Sequence, residues 1–365
     1  MTGIYVHIPF CIKKCNYCDF ASYPDKIGMQ YEYTDAVLKE MNRYCGLKAD
    51  TVYIGGGTPT CLDSDCLEKL LSGINGIFRI DKDAEFTVEA NPKTVDLQKA
   101  TILKKYGVNR ISLGAQSFND SELITLGRIH SAEDTQNTFR LLRNAGFDNI
   151  SIDLMYAFDG QNTDTLSTSA EQVLKLEPEH ISCYGLKIEP GTPFYRMVNE
   201  NKIKQTDDDT FADMYNLLCS RLKENGYVHY EISNFARENR ESRHNLKYWN
   251  CCDYLGFGAS AASCMGRRRF THSKSLEDYL NGYKLSEDYT MTNDEAMREF
   301  VILGLRVIKS GVNKREFHSR FSLDFDKVFA GQLKRFEKFL INSSDSLKLK
   351  EEAALVSNAI MCEFM

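Results

Sequence analysis

Along the first half of the chain, short apolar runs alternate with longer stretches in which apolar residues recur every three to four positions. The runs Ile4–Ile8, Thr51–Ile54, Glu85–Glu89, Arg110–Leu113, Asn149–Leu154 and His180–Tyr184 predict short strands. Between them, Gln30–Cys45, Ser64–Phe78, Asp96–Tyr106, Ser131–Ala145 and Thr163–Leu176 carry the helical period. Ser64 and Ser131 stand where N-caps belong, and Gly107 and Gly146 where helices give way to strands. This alternation calls for a parallel sheet, because a parallel neighbour is reached only through a crossover. Six such units predict an α/β fold, a partial (β/α)6 barrel rather than a closed eight-stranded one. A seventh strand is expected near Tyr227–Ile232.

After residue 240 the rhythm changes. Residues 251–271 are rich in Gly, Ala and Ser and predict a loop that returns to the barrel. Helical pattern resumes over Asn293–Ile308, Lys314–Arg320 and Phe325–Ile341, followed by Leu347–Leu349 and Ala354–Phe364. The expected division is a barrel over 1–240, a connecting region over 241–290, and a small helical, winged-helix-like C-terminal domain over 291–365.

A net charge of −6 offers no basic face for nucleic acid. The one basic knot, Arg267-Arg268-Arg269, reads either as solvated surface or as a site for a ligand bearing carboxylates. No basic segment followed by an apolar core opens the chain, and no run approaches the ~18 apolar residues of a membrane helix. A cytoplasmic location is therefore expected. There, twelve cysteines do not read as a disulfide framework, and metal binding, catalysis or burial must account for them.

The densest chemistry is Cys11-Ile12-Lys13-Lys14-Cys15-Asn16-Tyr17-Cys18, directly after the first expected strand. Three thiolates so spaced can ligate three irons of a cubane and leave the fourth open to an outside ligand. S-adenosylmethionine (SAM) can chelate such an iron through its amino and carboxylate groups. Zinc bound by the same cysteines and His7 is a competing reading, although it crowds four ligands into twelve residues and takes His7 out of a strand pattern. Three unligated cysteines are the third.

Cys-x3-Cys-x2-Cys after the first strand of a βα series resembles the motif of the radical SAM family, and Tyr5-Val6-His7-Ile8-Pro9-Phe10-Cys11 is similar to its coproporphyrinogen oxidase-like branch. The resemblance implies a [4Fe–4S] cluster on Cys11, Cys15 and Cys18, with SAM at the C-terminal ends of the strands. Gly55-Gly56-Gly57-Thr58 ends the second strand, where bare backbone lets a ligand come close. Glu89, Gln116 and Asp153 end further strands, and Arg128 follows twelve residues after Gln116. Taken singly, each could be an ordinary hydrogen-bonded polar group. The resemblance implies that SAM is held by Gly56, Gly57 and Thr58, by Arg128 on its carboxylate, by Glu89 and Asp153 on its amine or ribose, and by Gln116 on its ribose, with Tyr5 near the cluster. Gly256-Phe257-Gly258-Ala259-Ser260-Ala261 resembles the loop that closes the SAM pocket. One departure stands out: Tyr156-Ala157-Phe158-Asp159-Gly160-Gln161-Asn162 lacks a glycine and a proline usual in the branch.

Two groups share that branch. The oxidases carry a fourth cysteine two residues past the third and an N-terminal extension. Here Asp19 and Phe20 follow Cys18, and ten residues precede Cys11. The string His244-Asn245-Leu246-Lys247-Tyr248-Trp249, which holds the only tryptophan, resembles the heme-chaperone group. An imidazole suits heme iron and flanking aromatics suit a porphyrin face, although His244 could equally anchor its loop by a hydrogen bond. Cys251 and Cys252 are further thiolates or simple packing. The resemblance thus implies a heme chaperone that delivers heme to an acceptor protein, with an electron donor and a second copy of the chain as further partners and no residue assigned to catalysis. The alternative is an oxidoreductase acting on a porphyrinogen.

Overall fold

In the computed structural model, which describes residues 1–365, six strands run parallel in consecutive order: β1 (Thr2–Ile8), β2 (Lys48–Gly56), β3 (Arg79–Ala90), β4 (Arg110–Gln116), β5 (Ile150–Tyr156) and β6 (His180–Gly185). Each of the first five is followed by a crossover helix: Gln30–Met41, Ser64–Ile77, Leu97–Lys105, Ala132–Asn144 and Thr163–Leu176. Ser131 caps Ala132–Asn144 in a reciprocal capping box with Asp134. Ser64 is not a cap. Asp63 holds that position, and its carboxylate instead accepts from Gln30 Nε2 at 2.8 Å.

The sheet stays open. Beyond β6, β8 (Asn234–Ala236) and β7 (Val228–Glu231) add antiparallel strands. At the other edge, β9 (Tyr254–Phe257) pairs in parallel with β1, and β10 (Ala262–Met265), β11 (Arg268–His272) and β12 (Leu285–Thr290) extend the sheet to twelve strands. The segment expected to be a loop at 251–271 is therefore largely strand. Its small residues serve close backbone approach: a Cβ on Gly256 would lie 2.2 Å from the Ala262 carbonyl oxygen. The 17-residue helix Asp208–Glu224 escaped the pattern reading because it buries only Met214, Tyr215, Leu218 and Leu222, a stripe too narrow to dominate the period.

The C-terminal unit has a core of its own. Helices Asn293–Leu305 and Lys314–Phe321 pack with a small sheet of β13 (Val312–Asn313), β14 (Leu340–Asn342) and β15 (Ser346–Leu349). The single helix expected over Phe325–Ile341 is broken into Phe325–Val328 and Ala330–Arg335. Phe329 leaves helical geometry (φ −107°, ψ 22°) and packs, with Phe325, on Phe317 at ring distances of 5.9 and 5.0 Å.

Alternation within β1–β6 decides where the site sits. Ile4, Val6, Val52, Ile54, Val88, Ile111, Leu113, Ile152 and Leu154 join the helices in one core. The intervening positions are polar: Thr51, Tyr53, Thr87, Glu89, Arg110, Ser112, Ser151, Asp153, His180 and Ser182, in matched register from strand to strand. A parallel sheet covered on both faces by apolar layers would show continuous apolar runs instead. One face of this sheet is reserved for chemistry.

Candidate functional site

A cleft of about 420 Å³ opens over the polar face at the C-terminal strand ends. Cys11, Cys15, Cys18, Gly56, Gly57, Thr58, Glu89, Gln116, Arg128 and Asp153 all line it. Chain segments far apart in sequence thus converge where parallel α/β folds place their sites.

The cysteine loop is anchored from outside the sheet. Asn16 donates its backbone N–H to the Leu126 carbonyl at 3.0 Å and its side-chain amide to the Thr125 carbonyl at 2.9 Å, and its own carbonyl accepts from Phe194 N–H. Gly127, at φ +76°, leaves no room for a side chain against Asn16. Desolvation pushes the Cys18 thiol up to about 11 and the Cys11 thiol upward as well, so both need nearby positive charge to ionise. No three His, Cys, Asp or Glu side chains converge tightly enough to grip one metal ion. Three thiols around a shared space suit a cubane, which spreads its ligated irons over separate corners, and do not suit a single zinc. The zinc reading also loses His7: its Nε2 bonds the Ala21 carbonyl at 2.8 Å and its Nδ1 the Tyr5 hydroxyl at 2.9 Å.

Opposite the thiols lie two carboxylates. Glu89 accepts from the Tyr53 hydroxyl at 2.7 Å and from Gly56 N–H at 3.0 Å. Glycine is required at 55, since a Cβ there would lie 2.7 Å from the Glu89 carboxyl carbon. Asp153 accepts from Ser112. Desolvation pushes Glu89 up to about 7, opposed by the Tyr53 hydrogen bond and reinforced by the Asp153 charge. Asp153 is raised by the same desolvation. Arg128 reaches across the cleft floor, donating to Cys15 Sγ at 3.3 Å, to the Gly114 carbonyl at 2.7 Å and to Asn91 Oδ1. Its Nε–H is buried without a partner. An unpaired donor and a pair of carboxylates in one cleft suit a zwitterionic ligand with a cationic centre, and SAM is such a ligand.

Tyr53, Asn91 and Ser112 also line the cleft and were not singled out in the sequence. Their signal was present, since each lies on the same strand face as Glu89 or immediately after it in Glu89-Ala90-Asn91-Pro92.

Two expected site residues lie elsewhere. Tyr5 is not among the residues lining the cleft; its hydroxyl bonds His7 Nδ1 at 2.9 Å and its ring lies 6.2 Å from that of Tyr53. His244 is fully buried, with Nδ1 bonded to the Thr51 hydroxyl and Nε2 to the Tyr248 hydroxyl, both at 2.8 Å. Burial, Lys247 and Arg110 push its pKa down to about 3, so it stays neutral with both nitrogens engaged. It therefore anchors its helix (Arg243–Trp249) to β2 and presents no free nitrogen to a heme iron. The neighbouring aromatics are more open: Tyr248, Trp249, Tyr254, Tyr5 and the 62 % exposed Phe20 line a second groove of about 400 Å³ with Lys274 at its edge. Asp19 and Phe20 line both the groove and the cysteine cleft. Ser260, from the glycine-rich loop expected to close the SAM pocket, borders this groove and not the cleft.

Comparison with known proteins agrees with this geometry. Residues 5–173 match the radical SAM superfamily and residues 291–356 the HemN C-terminal domain. The chain is 37% identical to the heme chaperone HemW of Bacillus subtilis (strain 168), over 100% of this chain and 99% of that one. It is 31% identical to heme chaperone HemW of Escherichia coli (strain K12), over 100% and 98%. The chain belongs to the HemW family of radical SAM proteins. Among solved structures, the coproporphyrinogen III oxidase HemN of Escherichia coli superposes with a TM-score of 0.86 at 24% identity, covering 100% of this chain and 89% of that one, which establishes the shared fold.

Membership places the chain in a family that carries a [4Fe–4S] cluster and SAM. The altered loop after Asp153 is accounted for locally. Ala157 adopts φ +63° where glycine would be unstrained, and its N–H is held by Gln161 Oε1 at 2.8 Å, while Asn162 caps the helix Thr163–Leu176. The arginine knot is also spoken for. Arg267 bonds Asn293, Arg268 forms a two-pronged pair with Asp288 at 2.8 Å, and Arg269 pairs with Glu299 at 2.6 Å. It holds β11 to its neighbours and leaves no free anion site. No helix is long and apolar enough to cross a membrane.

Proposed function

We propose that this chain is a heme chaperone that holds a [4Fe–4S] cluster on Cys11, Cys15 and Cys18, binds SAM in the cleft beside it, and carries heme for delivery to an acceptor protein. The full-length likeness to HemW proteins supports the activity. The observation that carries the heme reading is the aromatic groove, which shares Asp19 and Phe20 with the cysteine cleft. When bound, the cluster and SAM together supply one-electron chemistry at a carbon–sulfur bond.

This chain's residues position the ligands. Arg128 offers its guanidinium to a carboxylate, and Glu89 and Asp153 face the ammonium or ribose. Gly56 and Gly57 let the backbone approach, because a Cβ on Gly57 would lie 2.5 Å from the Phe10 carbonyl oxygen. Gln116 completes the ribose side of the cleft. In the groove, Tyr248, Trp249 and Phe20 offer flat apolar area to a porphyrin, and the exposed Lys274 ammonium suits a propionate. The axial ligand is not assigned to His244, whose nitrogens are engaged.

Heme titration tests the reading directly. Trp249 is the only tryptophan, so heme in the groove is expected to quench most of the protein's indole emission. The same preparation should pass heme to an apo-acceptor. Anaerobic incubation with coproporphyrinogen III, SAM and an electron donor should yield no protoporphyrinogen IX. Product in that assay, with no quenching by heme, would replace this reading with the oxidase one. Heme affinity unchanged in His244→Ala is the expected companion result.

SAM affinity should rise with pH. Glu89 titrates at about 7, and only its ionised form attracts a cation. In the ligand-free protein the sign reverses: a carboxyl whose folded value is raised loses stability as pH climbs from the ordinary carboxylate range to about 7. Melting temperatures at pH 5.5, 7 and 8, with and without SAM, should therefore diverge as pH rises. Parallel curves would remove Glu89 from the SAM contacts.

A further inference from the structure

Arg110 is among the largest side chains to be fully buried, at 2 % exposure. Its guanidinium enters no ion pair, and its Nε–H has no hydrogen-bond partner. A buried charge without a partner is strongly unfavourable unless other groups compensate it. The register shows which groups can. Arg110 of β4 stands beside Thr87 of β3, and two residues further along the same strands Ser112 stands beside Glu89. Residues two apart share a sheet face, so Arg110 lies one layer beneath Glu89, about 7 Å along the strand. Ser112, directly above it, donates its hydroxyl to Asp153 at 3.2 Å. Ser112 stands beside Ser151 of β5, so Asp153 lies one layer further along, and the guanidinium underlies Glu89 at one layer and Asp153 at two without touching either.

We propose that Arg110 is a positioning residue whose buried charge keeps Glu89 and Asp153 ionised, so that they grip the cationic end of SAM. This rests on the reading that SAM occupies the cleft. An arginine in direct contact would neutralise the carboxylates as an ion pair and take up their lone pairs. Held beneath them, it stabilises their charge and leaves their oxygens free for the ligand.

The other titratable groups facing Arg110 add no competing cation. Tyr53 comes from β2, His180 from β6, Tyr230 from β7 and His244 from the helix behind β2. Burial raises both tyrosines and lowers both histidines, so all four remain neutral at physiological pH. Arg110 lowers the Glu89 and Asp153 carboxyls against the larger desolvation that raises them. Glu85 of β3, buried on the same face two residues before Thr87, accepts from the backbone N–H groups of Arg243 and His244 at 2.9 Å and forms no ion pair with Arg110.

The test measures SAM dissociation constants of anaerobically reconstituted protein by equilibrium dialysis between pH 6 and 9. For Arg110→Met, affinity at neutral pH is expected to fall about tenfold, with the midpoint of its pH dependence displaced upward by about one unit. Arg110→Lys should keep the wild-type midpoint, because it keeps the charge. Iron content and heme affinity should be unchanged in both variants. A wild-type midpoint in Arg110→Met would overturn the proposal, as would equal damage in the lysine variant. If Arg110→Met does not retain its cluster, infrared difference titration of the intact protein against Glu89→Gln decides. A Glu89 midpoint near neutrality or below supports the role, and one far above it overturns it. Failure of the wild-type protein to bind SAM at any pH would refute the reading of the cleft, and this inference with it.

Discussion

Replacing any one of Cys11, Cys15 or Cys18 by alanine is expected to strip the anaerobically reconstituted protein of its iron, its labile sulfide and its brown absorbance. The three thiols line one cleft, and the loop that carries them is anchored through Asn16 to Leu126, Thr125 and Phe194, so the loop is held in place when one ligand is lost. With two thiolates, a cubane has two corners open to water, and loss is the expected end. Cys61 provides the control. It lies close enough to Cys11 to feel its charge, yet it lines no part of the cleft, and Cys61→Ala should keep full iron and sulfide. Iron and sulfide assays alongside visible spectra check both. A single-cysteine variant at 11, 15 or 18 with intact iron and sulfide would show that the thiols do not act as the ligand set.

The second large effect is expected at Arg128. Its guanidinium ties the cysteine loop, through Cys15, to β4 at Gly114 and to Asn91 after β3, and its remaining Nε–H is unpartnered. Arg128→Ala removes the group proposed to meet the SAM carboxylate and leaves Asn91 Oδ1 and the Gly114 carbonyl without their donor. Removing one side of a buried charged contact costs roughly 2–5 kcal/mol. SAM affinity should therefore fall by about a hundredfold or more. Lysine should restore only part, since an ammonium cannot present the planar fork that reaches three acceptors together. Dialysis with SAM on cluster-replete protein checks this, with iron content measured in parallel. Wild-type affinity in Arg128→Ala would place the SAM carboxylate elsewhere.

Much of this site could be read from the chain alone because its signals are local. Three cysteines within eight residues need no partner from elsewhere to declare a cluster loop. Glycines and acidic residues at strand ends are visible wherever strand period is visible, and β1 to β6 all overlap their expected positions, although β3 begins six residues before the expected Glu85. The same locality explains Ser131, a cap recognised by the three residues that follow it.

What the chain alone left open shares a cause as well. His244 carries the side chain expected of a ligand, but what it does depends on a partner far along the chain: Thr51 lies 193 residues from it. The glycine-rich stretch at 251–271 forms strands only because the free edge of β1 is there to receive β9. Arg267 to Arg269 could be read either as solvated surface or as an anion site, and only the fold brings Asp288, Glu299 and Asn293 against them.

Sequence by itself determined the parallel strand–helix order, the cluster loop and the strand-end residues of the cleft, since period and spacing are properties of neighbouring residues. Tertiary structure alone decided which face of the sheet is polar, which histidine is sealed, and that Arg110 lies beneath Glu89 and Asp153. Burial and charge compensation act through space, between residues that no spacing along the chain connects.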